Sequence, residues 1–308
     1  MLTSEMANPQ KPEPAPVDLG ALRISALLNR SSGGCDADTQ AQFDGILAEA
    51  RIAPVEVRCV EGAELDEALA QLVGSGIDVL IALGGDGTLR AAAEKCGAAG
   101  ISLIALPGGT MNMMSKALYG ARDWREALRQ TLADPRLVAV SGGEVEGKRF
   151  FCAGIFGSPS LWAGAREAVR KSHFLEAGRR AMFAFHATLS GKVTYRFGAN
   201  GSGSSAAVAV ICPLVSAALA SNEPGLEAVA LDPKGSREAL RLAWNALCAD
   251  WRADASVSRA TTKLARISAR GRIPSILDGE AIRLPRTAEI RFVPHGFNAL
   301  VPSSGMVG

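Results

Sequence analysis

The stretch that most constrains this chain is Val79-Leu80-Ile81-Ala82-Leu83-Gly84-Gly85-Asp86-Gly87-Thr88-Leu89-Arg90. Its uninterrupted apolar run, Val79 to Leu83, suits a strand buried on both faces, as strands of parallel sheets are. The run ends in glycines around one aspartate, and the Ala-rich segment 90–96 follows as a helix. Glycines at such a junction let the backbone turn sharply and approach a ligand closely. Free N–H groups at the start of a helix suit an anion. Asp86 does not fit a bare phosphate site, because its carboxylate repels phosphate. It fits beside a cation or in a proton-transfer role, and so points to Mg-nucleotide chemistry.

A second turn of the same kind follows. Residues 101–106 read as a strand that ends in Pro107-Gly108-Gly109-Thr110-Met111-Asn112-Met113. Two glycine turns on neighbouring strands converge at one edge of a parallel sheet, where α/β folds bind ligands. Residues 23–28 read as the first strand. It runs into the polar loop Asn29-Arg30-Ser31-Ser32-Gly33-Gly34, a common place for a nucleotide contact. Helices are expected at 39–49, 65–73 and 124–132, with a strand at 55–60. Met111, Met113 and Met114 are expected to pack in the core, the alternative being that one of them lines an acyl pocket.

With 308 residues the chain suits two domains. Its 33 basic and 31 acidic residues leave a net charge of +2, so nothing calls for a nucleic-acid partner. Cys35, Cys59, Cys96, Cys152, Cys212 and Cys248 lie far apart without a Cys-x-x-Cys pair. That spacing suggests neither a zinc site nor a disulfide framework, and reduced cytoplasmic thiols are the simple reading. Residues 1–19, polar and rich in proline, read as a disordered leader. The longest apolar stretch, 206–220, is broken by Pro213 and Ser216 and is too short to span a membrane.

The alternation of strand and helix stops near Leu137. Residues 20–137 therefore read as a doubly wound α/β nucleotide-binding domain, and 138–308 as a β-rich domain whose last strand can return to the first. Strands are expected at 138–145, 149–153, 193–197, 206–212, 226–231, 264–269, 273–277, 289–293 and 299–301. Helices are expected at 161–173, 181–189 and 237–249. Strands this closely spaced suit an antiparallel β-sandwich. Arg166, Arg170, Lys171, Arg179 and Arg180 give the middle helices a basic face, which is either solvated or laid on anionic lipid. In Ser275-Ile276-Leu277-Asp278-Gly279-Glu280, two carboxylates flank a glycine at a strand end. Asp-Gly is also an ordinary hairpin turn, so spacing alone leaves a functional and a structural reading open.

Gly84-Gly85-Asp86-Gly87-Thr88 resembles the nucleotide loop of the diacylglycerol kinase catalytic domain family, which includes bacterial lipid kinases and sphingosine kinases. NAD kinases and phosphofructokinases carry a similar loop. The segment from Pro107 to Asn112 resembles the family's Pro-x-Gly-Thr-x-Asn loop, with Met113 where many members have Asp. Asn29 and Ser32 match its Asn-Pro-x-Ser-Gly loop, with Arg30 in place of Pro. Asp278-Gly279-Glu280 resembles its Asp-Gly-Glu signature, in the same order along the chain. The resemblance implies a nucleotide domain and a β-rich lid over one cleft.

What it implies chemically is an ATP- and Mg2+-dependent transfer of phosphate to a lipid hydroxyl. Gly84, Gly85, Gly87, Thr88, Gly108, Gly109 and Thr110 would supply donors to the phosphates. Asn29, Arg30, Ser31, Ser32, Gly33 and Asn112 would line the nucleotide. Asp86 would hold magnesium or orient the acceptor hydroxyl. The family pattern assigns the base to Glu280, with Asp278 beside it. Some members bind a further magnesium on a second-domain loop, and the matching stretch here contains Glu223. The expected partner is a lipid at a membrane surface, reached by peripheral contact from the cytoplasm, and a homodimer is compatible with the chain. NAD kinase is the alternative enzyme, but its Gly-Ser-Thr-Ala-Tyr stretch does not follow Asn222-Glu223. A nucleotide-binding regulator without turnover is the alternative of another class, and the acids Asp86, Asp278 and Glu280 speak against it.

Overall fold

A computed structural model describes residues 15–157, 192–199, 201–216, 219, 224–231 and 257–303. The expected helices at 161–173, 181–189 and 237–249, the basic residues on them, and Glu223 lie outside the described residues.

The chain begins with a short strand β1 (Ala15–Pro16) and continues through β2 (Ile24–Asn29), α1 (Thr39–Glu49), β3 (Glu56–Val60), α2 (Leu65–Gly74), β4 (Val79–Gly84), α3 (Asp86–Ala99) and β5 (Ser102–Pro107). Strand β2 pairs in parallel with β3 on one side and β4 on the other, and β4 pairs in parallel with β5. Every residue of β2 and β4 is buried, as a strand covered on both faces requires. The covering comes from Phe43, Ile46 and Leu47 of α1, Leu69 and Leu72 of α2, and Leu89, Ala92, Ala93 and Cys96 of α3. The sheet order reverses between β2 and β4, which opens a crevice between the loops that follow them.

Two helices follow, α4 (Met113–Tyr119) and α5 (Trp124–Ala133). The buried hydroxyl of Tyr119 accepts from the Ala105 amide at 2.9 Å and donates to the Leu300 carbonyl at 3.0 Å. It fastens α4 between β5 and the end of the chain.

The second half is built from β6 (Pro135–Val145), β7 (Lys148–Phe150), β8 (Ala153–Gly157), β9 (Val193–Phe197), β10 (Ser202–Ser205), β11 (Ala207–Ile211), β12 (Leu226–Leu231), β13 (Val257–Thr262), β14 (Leu264–Ser268), β15 (Ile273–Leu277), β16 (Glu280–Leu284) and β17 (Thr287–Pro302). A six-stranded antiparallel sheet runs β13-β12-β11-β8-β15-β16. Phe156, Val208, Val210, Leu226, Ala228 and Leu277 of this sheet share one core with Val193, Phe197, Ala265, Ile267, Ala288 and Ile290 of β9, β14 and β17. The two antiparallel layers thus pack face to face. Strand β17 joins the halves: its first part pairs with β14, and Asn298 and Ala299 pair in parallel with β5.

Several local expectations change. Residues 15–19 are ordered: Ala15 and Pro16 pair with Leu137 and Arg136, and Asp18 caps a short 3-10 turn, Leu19–Ala21. The segments 289–293 and 299–301 are one strand, continued through an irregularity between Val293 and Phe297. The segment 149–153 is divided between β7 and β8, because Phe151 and Cys152 turn between them. Met114 is buried, but Met111 and Met113 are 50% and 36% exposed. No helix among the described residues is long and apolar enough to cross a membrane.

Candidate active site

Three loops meet at the carboxyl edge of the parallel sheet. The first follows β2. The side chain of Asn29, itself buried, donates to Thr88 Oγ1 at 2.8 Å and accepts the Ser31 amide at 3.0 Å. Ser32 Oγ accepts the Gly85 amide at 3.2 Å, and the Gly34 amide donates to the Gly108 carbonyl at 2.8 Å. The first loop is therefore held by its own turn and by bonds to both of the other loops.

The second loop enters α3. Gly85 is its N-cap with extended backbone, and Asp86 is the first helical residue. The helix starts earlier than residue 90, so Asp86, Gly87 and Thr88 form its first turn. The amides of a first turn have no intrahelical acceptor and carry the positive end of the helix dipole. The early start makes the turn a better anion cradle than a loop leading to a later helix. Asp86 Oδ1 accepts the Met113 amide at 2.6 Å, which fixes the carboxylate between α3 and α4. No described residue is bonded to its other oxygen.

The third loop follows β5. The Gly108 amide donates to the Gly84 carbonyl at 2.8 Å, and a Cβ on Gly108 would lie 3.0 Å from the Gly84 nitrogen. A Cβ on Gly109 would lie 2.7 Å from Gly85 Cα. The two glycine turns press backbone on backbone, and the amides of Gly85, Gly108 and Gly109 are bonded to Ser32 Oγ, the Gly84 carbonyl and Asn112 Oδ1 rather than offered to the cleft, unlike the phosphate donors expected from the sequence. Asn112 closes the third loop on itself: its side chain accepts the Gly109 amide and donates to the Gly109 carbonyl, both at 2.8 Å. It adopts a left-handed backbone, φ 53°. Thr110 is exposed at the rim, as are Arg30, Ser31 and Gly33 of the first loop. Arg30 Nη2 reaches Gln40 at 3.2 Å beside a cleft of about 410 Å3 that Cys35 and Cys59 also line.

The second sheet delivers the remaining acids. Asp278 and Gly279, with φ of 46° and 91°, make the tight turn between β15 and β16, opposite the pair Leu277 and Glu280. Asp278 is 5% exposed, and its carboxylate accepts the amides of Phe151 at 2.7 Å and of Cys152 and Ala153 at 2.9 Å. Burial pushes its carboxyl above the ordinary range, while these amides and Arg90 pull it down. The structural reading of the Asp-Gly pair holds: it is a hairpin turn, and the turn is bolted to the segment between β7 and β8.

Glu280 comes to the first turn of α3. A Cβ on Gly87 would lie 2.8 Å from Glu280 Oε1, and the other oxygen is ion-paired with Arg90 Nη2. Arg90 also reaches Glu94 at 3.3 Å, one turn further along α3. Its Nε is buried without a partner among the described residues, at a cost of about 1–3 kcal/mol that the two carboxylate contacts offset. Arg90 is the site residue that sequence reasoning does not find. Helical spacing shows its pairing with Glu94, but no local pattern links it to a residue 190 positions away.

The arrangement can hold a polyphosphate on the α3 amides, with a carboxylate on either side. Among the described residues no three His, Cys, Asp or Glu side chains converge as a metal centre. The donor set still suits magnesium, which kinases bind through one or two carboxylates together with phosphate oxygens.

Residues 23–143 match the family model described as the diacylglycerol kinase catalytic domain. No curated protein matches the chain. Among solved structures, a diacylglycerol kinase from Bacillus anthracis str. Sterne is 15% identical, with a TM-score of 0.63 over 91% of this chain and 97% of its own. Two further structures from the same organism, provisionally assigned as diacylglycerol kinases, are 16% identical with TM-scores of 0.67 and 0.66. They cover 91% of this chain and 98% and 97% of their own. At that identity the structures establish a shared fold, an α/β parallel-sheet half joined to an antiparallel β half.

Proposed function

We propose that the chain is an ATP-dependent lipid kinase, moving the γ-phosphoryl group of Mg-ATP to the hydroxyl of a lipid such as diacylglycerol. The observation that carries this reading is the meeting of Glu280 with the first turn of α3. A carboxylate from the second sheet stands where a helix N-terminus offers a phosphate site. Phosphoryl transfer to an alcohol needs phosphates held in line, charge spread by a cation, and a group that takes the acceptor's proton.

The roles follow from the contacts. The amides of Asp86, Gly87 and Thr88 bind phosphate oxygens. Asn29 fixes the Thr88 hydroxyl, and Ser32 ties the first loop to Gly85. Asp86, held through one oxygen by the Met113 amide, would offer the other to magnesium. The ion would neutralise phosphate charge when bound. Asp278 has committed its carboxylate to three amides, which leaves Glu280 as the acid with room for an alcohol. Its side chain is 46% exposed. An alcohol is a poor acid, so Glu280 takes its proton late in the transfer.

An apolar acceptor suits the mouth of the site. Met111 on the third loop and Met113 at the start of α4 are exposed, and the Met113 amide touches Asp86. Their flexible side chains offer an acyl chain apolar surface beside the polar site. The acceptor would be met at a membrane surface by peripheral contact.

The test is phosphorylation of mixed micelles containing diacylglycerol, a sphingoid base or phosphatidylglycerol, with Mg-ATP and a parallel reaction with NAD. A phosphorylated lipid identified by mass is the expected result. Conversion of NAD to NADP without a lipid product would replace this reading with NAD kinase. Binding of ATP without any turnover would make the protein a nucleotide-responsive regulator.

A further inference from the structure

We propose that Arg90 is a positioning residue that holds the Glu280 carboxylate over the first turn of α3 during phosphoryl transfer. The inference rests on the reading of Glu280 as the group that takes the acceptor's proton. Asp278 anchors the hairpin, but it does not orient the Glu280 carboxylate, which sits on its own flexible stem and is half exposed. Among the described residues Arg90 is the one side chain that donates to Asp86, Asp278 or Glu280. Its own direction is set. It lies one turn beyond Gly87, its side chain is 13% exposed, and Nη1 is held by Glu94 at 3.3 Å. The same helix carries Asp86, Gly87 and Thr88, so Arg90 ties the acid from the second sheet to the frame that binds phosphate.

Charge gives the second argument. A carboxylate beside a bound polyphosphate is pushed away, and the push grows as water is excluded. The guanidinium offsets it from below, without touching the phosphate-binding amides. Arginine suits the task because its planar fork serves two carboxylates from separate nitrogens, Glu280 from Nη2 and Glu94 from Nη1. A lysine keeps the charge but cannot hold both partners in fixed directions.

The experiment uses the full chain with Arg90→Met, Arg90→Lys, Glu280→Gln and the double variant Arg90→Met/Glu280→Gln. The first readout does not depend on activity. Amide exchange at residues 278–284 should rise by about tenfold in Arg90→Met, with part of the protection returning in Arg90→Lys. The second readout is turnover on lipid micelles. Arg90→Met should lower kcat by about 10–100-fold while the KM for ATP stays within about threefold. On the Glu280→Gln background the same change should cost less than about threefold, since the residue it positions is already disabled. Unchanged exchange at the hairpin would overturn the proposal whether or not the protein is active. An equal kcat loss on both backgrounds would also overturn it, because Arg90 would then act apart from Glu280. A full exchange response with no phosphorylated lipid from the unaltered protein would support the Arg90–Glu280 clamp and overturn the kinase reading instead.

Discussion

Asp278 and Glu280 flank the same glycine at one hairpin tip, yet the first carboxylate is spent on three backbone amides and the second stands at an ion pair over the first turn of α3. Two acids of one short motif are therefore placed differently: Asp278 holds the hairpin, and Glu280, the proposed base, faces the helix. The difference is measurable. Asp278→Asn places an amide group among N–H donors that need an acceptor, and each buried donor left unpaired costs about 1–3 kcal/mol. We expect a clear loss of stability in urea unfolding. Glu280→Gln changes a half-exposed group, so stability should stay within about 1 kcal/mol, while kcat should fall by about 10²–10⁴-fold with ATP binding largely kept. A destabilised Glu280→Gln and a fully stable Asp278→Asn would reverse the two roles.

Asp86→Asn separates charge from geometry. The amide oxygen of asparagine can still accept the Met113 N–H, so the junction of α3 and α4 should survive. What disappears is the negative charge facing the cleft. We expect a folded protein with an unchanged circular dichroism spectrum and at least about a hundredfold loss in kcat. Turnover near that of the unaltered protein would show that Asp86 only fastens the loop.

Gly97 tests how the first half is closed. A Cβ there would lie 1.9 Å from the Gly296 carbonyl, so α3 and β17 approach at a distance no other residue permits. Gly97→Ala must push the helix and the strand apart, and it should cost about 3 kcal/mol in urea unfolding. Gly45, in the middle of α1, has open space around its Cβ position. Gly45→Ala should instead add about 0.5–1 kcal/mol, since it only removes the entropy of a helical glycine. Equal effects at the two positions would mean that α3 does not sit against β17 as described.

The parallel half was legible because its strands are continuous apolar runs and its helices amphipathic. The helix expected at 39–49 is found with those ends, and the strands ending at Asn29, Gly84 and Pro107 deliver the expected loops to one edge. The sequence pattern places the start of α3 four residues late because glycine and aspartate are poor helix formers. At a first turn, however, an acid suits the helix dipole and glycine admits a close neighbour. Strands β10, β13 and β16 were missed: β10 is Ser202-Gly203-Ser204-Ser205, with no apolar alternation to read. Strand β17 was read as two because Pro294, His295 and Gly296 interrupt its pattern, although its pairing with β6 resumes at Phe297. The short helix α4 was hidden by a methionine run that reads as core. In the site, residue types near the glycine turns were visible in the sequence, whereas the Arg90–Glu280 pair depends on tertiary placement alone.

The methionines give the last prediction. Met111, at the end of a polar loop, and Met113, the first residue of α4, are exposed, while Met114 beside them is buried. Their apolar surface beside Asp86 is open to a partner that covers it, with a gain below the about 1.5–3 kcal/mol of full burial because each is already half-buried or more. An acyl chain would do so, and methionine's flexible, polarizable side chain suits ligands of varied shape. Replacing both by glutamine, which keeps length and removes the apolar surface, should leave stability and the KM for ATP nearly unchanged. It should raise the KM for a long-chain lipid acceptor by about tenfold, since the lost contact corresponds to about 1.4 kcal/mol. A short-chain, water-soluble acceptor that cannot reach the methionines should lose much less. An equal rise for short and long acceptors, or no rise for either, would remove Met111 and Met113 from the acceptor site.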